Sequence, residues 1–119
     1  MRDEAIRQRI GAAAEELAAR HLLHHGLRII ERNFRVRGGE IDLIARDGKA
    51  LVFVEVRLRT RSDFGGAAAS ITGKKQQRII LAASHYLQAH GEQPCRFDCI
   101  LLDALDAKAI EWIKGAFSA

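Results

Sequence analysis

Two stretches of this chain set acids among aliphatic residues: Gly39-Glu40-Ile41-Asp42-Leu43-Ile44-Ala45 and Leu51-Val52-Phe53-Val54-Glu55-Val56-Arg57. Apolar runs of this length, rich in β-branched residues, fit strands. Between them stands Asp47-Gly48, the strongest short-range signal for a tight hairpin. A chain that folds this hairpin places carboxylates inside a sheet. A carboxylate there is costly unless a cation pairs with it. The hairpin therefore constrains fold and chemistry together.

Its register can be counted. With Asp47 and Gly48 as the two loop residues, Arg46 pairs with Lys49, Asp42 with Phe53, and Glu40 with Glu55. Strand side chains alternate faces. Glu40, Asp42, Glu55 and Arg57 then share one face, and Ile41, Leu43, Val52, Val54 and Val56 the other. Asp42 and Glu55 become diagonal neighbours, roughly 7–8 Å apart between backbones. Carboxylates so spaced can share a divalent cation whose oxygen ligands lie at about 2.0–2.1 Å. A one-residue slip would put the two acids on opposite faces. The competing reading pairs each acid with a neighbouring arginine.

Around the hairpin the pattern resolves into further elements. Ile6, Ile10, Ala13, Leu17 and His24 recur at helical spacing, which predicts a helix over residues 3–25 with Gly26 as its stop. A strand follows over 27–36, and Gly38-Gly39 marks a turn into the hairpin strands, 40–46 and 51–58. Residues 60–70 read as a loop near the acidic face, with Phe64-Gly65-Gly66 a candidate lid. Thr72 caps a helix running to about His90, its apolar stripe formed by Ile79, Ala83, Tyr86 and Leu87. Strands over 96–102 and 108–114 complete the order α-β-β-β-α-β-β. No repeat or linker interrupts the chain, so residues 1–119 read as one α/β domain.

Bulk properties narrow the class. The 48% hydrophobic and 29% charged shares are those of a globular protein. No apolar run approaches the roughly 18 residues of a membrane span, and Met1-Arg2-Asp3-Glu4 lacks a signal-peptide core, so a cytoplasmic location without membrane contact is expected. The net charge of +4 is uneven: residues 1–61 carry 13 of the 19 Lys+Arg but 9 of the 15 Asp+Glu. Arg28, Arg32, Arg35 and Arg37 precede the acidic strand, and Arg57, Arg59 and Arg61 follow the second one. Arginine forks suit phosphate oxygens, so acids among arginines fit a site holding a metal and a polyanion together. A solvated basic face is the alternative. Cys95 and Cys99, about 13 Å apart along a strand, are too distant for a disulfide. They match no zinc spacing and read as reduced, packed side chains.

Several other residues could carry chemistry. Arg57, two positions after Glu55, can orient water and steady developing negative charge, but arginine cannot act as a base. Its alternative role is charge partner to Glu40 or Glu55. Glu40 itself is expected to answer Arg35 or Arg37. In the first helix Glu16 forms an ordinary i, i+4 pair with Arg20. Glu15 has Gly11, Ala18, Ala19 and Leu22 around it and is the better functional candidate. Lys74, Lys75 and Arg78 open the second helix, where cations oppose the macrodipole; phosphate would reward them.

An acid on a first helix, then Asp on one strand and Glu-x-Lys on the next, is the pattern of the PD-(D/E)XK nuclease superfamily, and this chain resembles it. More narrowly it is similar to the YraN-type family of uncharacterised bacterial proteins. Ala14-Glu15-Glu16-Leu17-Ala18-Ala19 resembles that family's first-helix motif. Asn33-Phe34-Arg35, Gly39 to Ile44 and Val52 to Val56 resemble its central block. Lys75-Gln76 and Arg96-Phe97-Asp98 resemble its later motifs. The resemblance implies a restriction-endonuclease-like three-layer fold, a mixed central sheet flanked by helices. It implies Asp42 and Glu55 as ligands of Mg²⁺ or Mn²⁺, Glu15 as an assisting acid and Lys75 as a phosphate contact. The expected function is cleavage of DNA, branched or otherwise structured, with Lys74, Arg78, Arg35, Arg37 and Arg59 also facing nucleic acid. One departure stands out: Arg57 occupies the usual lysine position. A nucleic-acid-binding module that has lost turnover is the alternative. Junction-cleaving relatives pair up, so a homodimer is compatible, with Ala109 to Ile113 as either its contact or an inner strand.

Overall fold

A computed structural model describes residues 2–59 and 71–119. The loop expected over 60–70, with Arg61 and the Phe64-Gly65-Gly66 lid, lies outside the described residues. Helix α1 (Arg2–His24) opens the chain and stops at Gly26, whose φ of +89° suits glycine. Strands β1 (Arg28–Val36), β2 (Gly39–Asp47) and β3 (Ala50–Leu58) follow as an antiparallel meander. Helix α2 (Gly73–His90) starts where Thr72 Oγ1 accepts the Lys75 N–H at 3.2 Å, the expected cap. Strand β4 (Cys95–Leu102) lies parallel to β3, and α2 makes the crossover that parallel strands require. A short 3₁₀ turn at Ala107–Ala109 leads into β5 (Ile110–Phe117), antiparallel to β4. The five strands lie in chain order in one mixed sheet.

A helix covers each face. Ala14, Ala18, Ala19 and Leu22 of α1 pack with Leu43, Ala45, Val52, Val54, Ile100 and Leu102. Ile79, Ala82, Ala83 and Tyr86 of α2 pack with Ile44, Leu51, Phe53 and Phe97 on the other side. Burial on both faces explains why the central strands read as nearly continuous apolar runs. No helix among the described residues is long and apolar enough to cross a membrane.

Three expectations change. The helical stripe through Ile6, Ile10 and His24 does not face the core: every residue from 2 to 12 is exposed, Ile6 by 49%. The buried stripe runs through the small residues Ala14, Ala18 and Ala19 because they let the helix backbone approach the sheet. Cys95 is exposed, and only Cys99 is packed away; both are free thiols. The hairpin also has a different register. Asp47 pairs with Ala50 and Ile44 with Phe53, so Gly48 and Lys49 form the loop. Gly48 takes φ +60° while Lys49 keeps a negative φ, the type II′ arrangement with glycine first. Asp47 stays in the strand, its Oδ2 accepting Arg96 Nη2 at 2.9 Å. The shift is two residues, so Asp42 and Glu55 still share a side.

Gly39 lies under α2. A Cβ there would collide with the Arg78 carbonyl and come within 3.1 Å of the Ala82 N–H. Gly39→Ala is expected to destabilise by about 1–3 kcal/mol through overpacking. Urea denaturation checks it: a midpoint equal to wild type would mean that α2 does not press on β2 here.

Candidate active site

The β2–β3 ladder ends at Leu43↔Val54. One step on, Asp42 and Glu55 face each other directly instead of diagonally. Asp42 Oδ2 accepts the Val56 N–H at 2.8 Å, taking a backbone donor just past the end of the ladder. The two carboxyls are within hydrogen-bonding reach of each other. Glu55 is only 5% exposed. Burial, then the neighbouring Asp42, pushes its carboxyl up to about 9, while Lys75 opposes the rise. Lys75 Nζ, from the first turn of α2, stands 3.5 Å from Glu55 Oε2.

Glu15 approaches from α1. It is half-buried, and its carboxyl is raised by burial and by Asp42, with Asn33, Arg35 and Arg32 acting against the rise. Acids from α1, β2 and β3 thus form a line, Glu15 to Asp42 to Glu55. Beside Glu15 is a cleft of about 280 Å³ lined by Gln8, Gly11, Ala12, Asn33 and Arg35.

A local inversion of the sheet makes this line possible. Side chains two apart on a regular strand share a face. Here Arg32 reaches Glu16 on α1 at 2.8 Å, whereas Phe34 packs edge-on against Tyr86 of α2, centroids 5.4 Å apart. On β2, Leu43 joins the α1 core and Ile41 the α2 core, contrary to the expected alternation. Asn33 and Asp42 are the residues between these pairs. Asn33 has φ +53°, the only left-handed non-glycine among the described residues. That conformation costs most residues about 1–2 kcal/mol, and asparagine tolerates it best. Asn33 carried no site role in the sequence reading, although an asparagine inside a strand was itself a signal.

The buried Glu55 and the half-buried Asp42 form a hard-oxygen donor set, and a divalent cation between them would let both ionise. Mg²⁺ or Mn²⁺ suits such a pair, because these ions take one or two carboxylates and fill the remaining positions with water and phosphate. Among the described residues no three His, Cys, Asp or Glu are placed to ligate one ion.

The remaining candidates separate by their partners. Arg57 is half-buried on the Glu55 side of β3, beside Cys99. Lys74, Arg37, Arg35 and Arg78 are exposed, the last two each 3.8 Å from Glu40. Glu40 pairs with Arg35 across β1–β2 and does not face Glu55. Arg59 is not brought to this surface as a free phosphate ligand. Its guanidinium forks onto Asp103 at 2.7 and 3.0 Å and reaches Glu111 at 3.2 Å, because β3 delivers it beside the β4–β5 connection.

The raised Glu55 carboxyl predicts a pH effect of definite sign. The folded chain keeps this proton up to about 9, whereas the unfolded chain releases it near the ordinary 4.5. The unfolded state therefore binds fewer protons between these values, and this group's contribution to stability falls as pH rises through that window. Glu55→Gln removes the dependence. Its melting temperature should gain on wild type from pH 5 to pH 8.5; a constant gap would show that Glu55 titrates normally.

The model of an uncharacterised protein family, UPF0102, matches residues 14–102. A UPF0102 protein of Dechloromonas aromatica is 65% identical over 109 residues, covering 92% of this chain and 88% of the relative. One from Methylobacillus flagellatus is 56% identical over 112 residues, covering 94% and 99%. One from Hahella chejuensis is 56% identical over 111 residues, covering 92% and 90%.

Proposed function

The chain belongs to the UPF0102 family of bacterial proteins, and we propose that it is a metal-dependent endonuclease of the PD-(D/E)XK superfamily, restriction-endonuclease-like in fold, that acts on DNA. The observation that carries the reading is the Asp42–Glu55 pair: two carboxyls meeting at the end of a ladder, one nearly inaccessible, with Lys75 beside it. An ion pair with Lys75 accounts for Glu55 but leaves Asp42 as a second acid against it. Two acids in contact suit a divalent cation better.

Asp42 and Glu55 would hold Mg²⁺ or Mn²⁺, which when bound supplies an activated water and a polarised phosphate. Glu15 would orient that water from the α1 side. Arg57 would stabilise charge on the phosphate but take no part in proton transfer. Lys75 supplies a lysine beside Glu55 that the Arg57 position lacks, approaching from a helix instead of from the same strand. Lys74, Arg78, Arg35 and Arg37 would contact the nucleic-acid backbone.

The test is incubation of the purified protein with linear, single-stranded, flapped and four-way-junction DNA in Mn²⁺. Cleavage of at least one substrate is expected. A parallel readout is thermal: Mn²⁺ at 100 times its Kd should stabilise the fold by about 2.7 kcal/mol, because it binds only the folded pair. Neither cleavage nor a thermal shift, with or without DNA, would overturn the nuclease reading. The second reading, a DNA-binding module without turnover, is favoured by Arg57 alone. It predicts binding that weakens steeply with salt and no Mn²⁺-dependent cleavage.

A further inference from the structure

The face switch described above occurs at the same level on both strands, and it determines where Asp42 points. If β1 and β2 ran regularly through this level, Ile41 and Leu43 would share a face and Asp42 would project to the opposite one. Instead Ile41 joins the α2 core, Leu43 the α1 core, and Asp42 is left at the boundary between them. There it reaches both the Val56 N–H and Glu55. Across the ladder, between the pairs Arg32↔Leu43 and Phe34↔Ile41, stands Asn33 with its left-handed backbone.

Resting on the reading of Asp42 as a site ligand, we propose that Asn33 is a positioning residue: its left-handed backbone inverts the β1–β2 ladder and thereby turns Asp42 from the α2 face, where Glu55 lies, onto the Val56 N–H and toward Glu15 of α1. Asn33 is exposed, so no packing demand explains an energetically unfavourable conformation at this place. Strained backbone persists where surrounding structure imposes it and clusters at functional sites. Asparagine also has a use here that glycine lacks, since its side-chain amide donates toward Glu15 across the cleft. A β-branched residue at this position would favour the extended conformation and a regular ladder.

The experiment uses the full chain, labelled with ¹⁵N, as wild type, N33G and N33V. Glycine takes positive φ freely and so retains the inversion; valine opposes it. The first readout is amide hydrogen exchange at Val56, referenced to Val54, which is paired on both sides within the sheet. N33V should exchange Val56 about tenfold faster or more, because that N–H loses a charged acceptor, with Val54 unchanged. N33G should match wild type at both amides. The second readout is DNA cleavage in Mn²⁺. N33V should lose about 100-fold in kcat with KM retained, the scale of a misplaced catalytic group, and N33G should recover most of it. Val56 protection unaltered in N33V, or lost equally in N33G, would overturn the proposal. If N33V fails to fold, N33A imposes the same restriction more mildly and takes its place. If wild type neither cleaves DNA nor takes up Mn²⁺, the nuclease reading fails, and the Val56 exchange still decides the role of Asn33.

Discussion

Asp42→Asn is expected to abolish Mn²⁺-dependent DNA cleavage while leaving the fold intact. Asparagine keeps a side-chain oxygen that can accept the Val56 N–H, now bonded at 2.8 Å. It removes the charge that a cation would share with Glu55, together with the like-charge contact that raises the Glu55 carboxyl. The rate should fall by about 10³-fold or more, beyond the 10–100-fold typical of losing an outer-shell partner of a metal. The Mn²⁺-induced rise in melting temperature should vanish with it. Melting without metal should stay close to wild type, since the amide oxygen can keep the Val56 contact. Cleavage that persists in the variant would come from elsewhere in the chain or from a contaminant. Cleavage lost while the Mn²⁺ shift remains would remove Asp42 from the metal and leave it only the backbone contact.

The largest loss of stability is expected from Asp98→Ala. Asp98 is fully buried in β4. Its carboxylate accepts Arg96 Nε at 3.0 and 3.2 Å, Trp112 Nε1 at 3.0 Å and the Gly115 N–H at 3.0 Å. The register between β4 and β5 shifts at this point, from Phe97↔Phe117 to Cys99↔Ile113, and Gly115 turns through φ +61°. Asp98 therefore pins the bulge that keeps β5 on the sheet edge. Alanine would strand three donors around a cavity. Breaking a buried charged network in this way costs about 3–5 kcal/mol, a large share of the 5–15 kcal/mol that holds a typical domain together. Urea or thermal unfolding measures it directly. Asp98→Asn should fall between wild type and alanine, since the amide can still accept from some of these donors. A cost under about 1 kcal/mol for alanine, the scale of an exposed ion pair, would mean that the network adds no net stability.

Legibility in the sequence varied with the range of the interaction. The helix caps are local: Thr72 and Gly26 act within one turn of their own position, and both stand where the spacing implied. The α2 stripe through Ile79, Ala83 and Tyr86 was also readable, because a helix packed along its length on one sheet face buries a regular period. The α1 stripe was not. Ile6 and Ile10 lie in an exposed half, and the contact is made by Ala14, Ala18 and Ala19 together with Leu22. Hydrophobicity alone favours Ile6 and Ile10; close approach of a backbone favours Ala18 and Ala19.

The site divides in the same way. That Asp42 and Glu55 lie on the same side followed from the strand period, and it survived a two-residue error in register because two residues is one full period. Their direct opposition did not follow, since the hairpin turn begins at Gly48 and not at Asp47. The contact of Lys75 with Glu55, the capture of Arg59 by Asp103 and Glu111, and the Trp112 and Gly115 donors to Asp98 each join different elements. Spacing along one element carries no information about them.

By itself, then, the sequence determined the elements, their order and the two acids that must meet, because each depends on propensities and periods within about a dozen residues. The tertiary structure decided which face each helix covers, how the ladder inverts at Asn33 and Asp42, and which cations are left near the acids. Those outcomes depend on packing between segments brought together only by folding, where the fit of side chains, not their order, determines the energy.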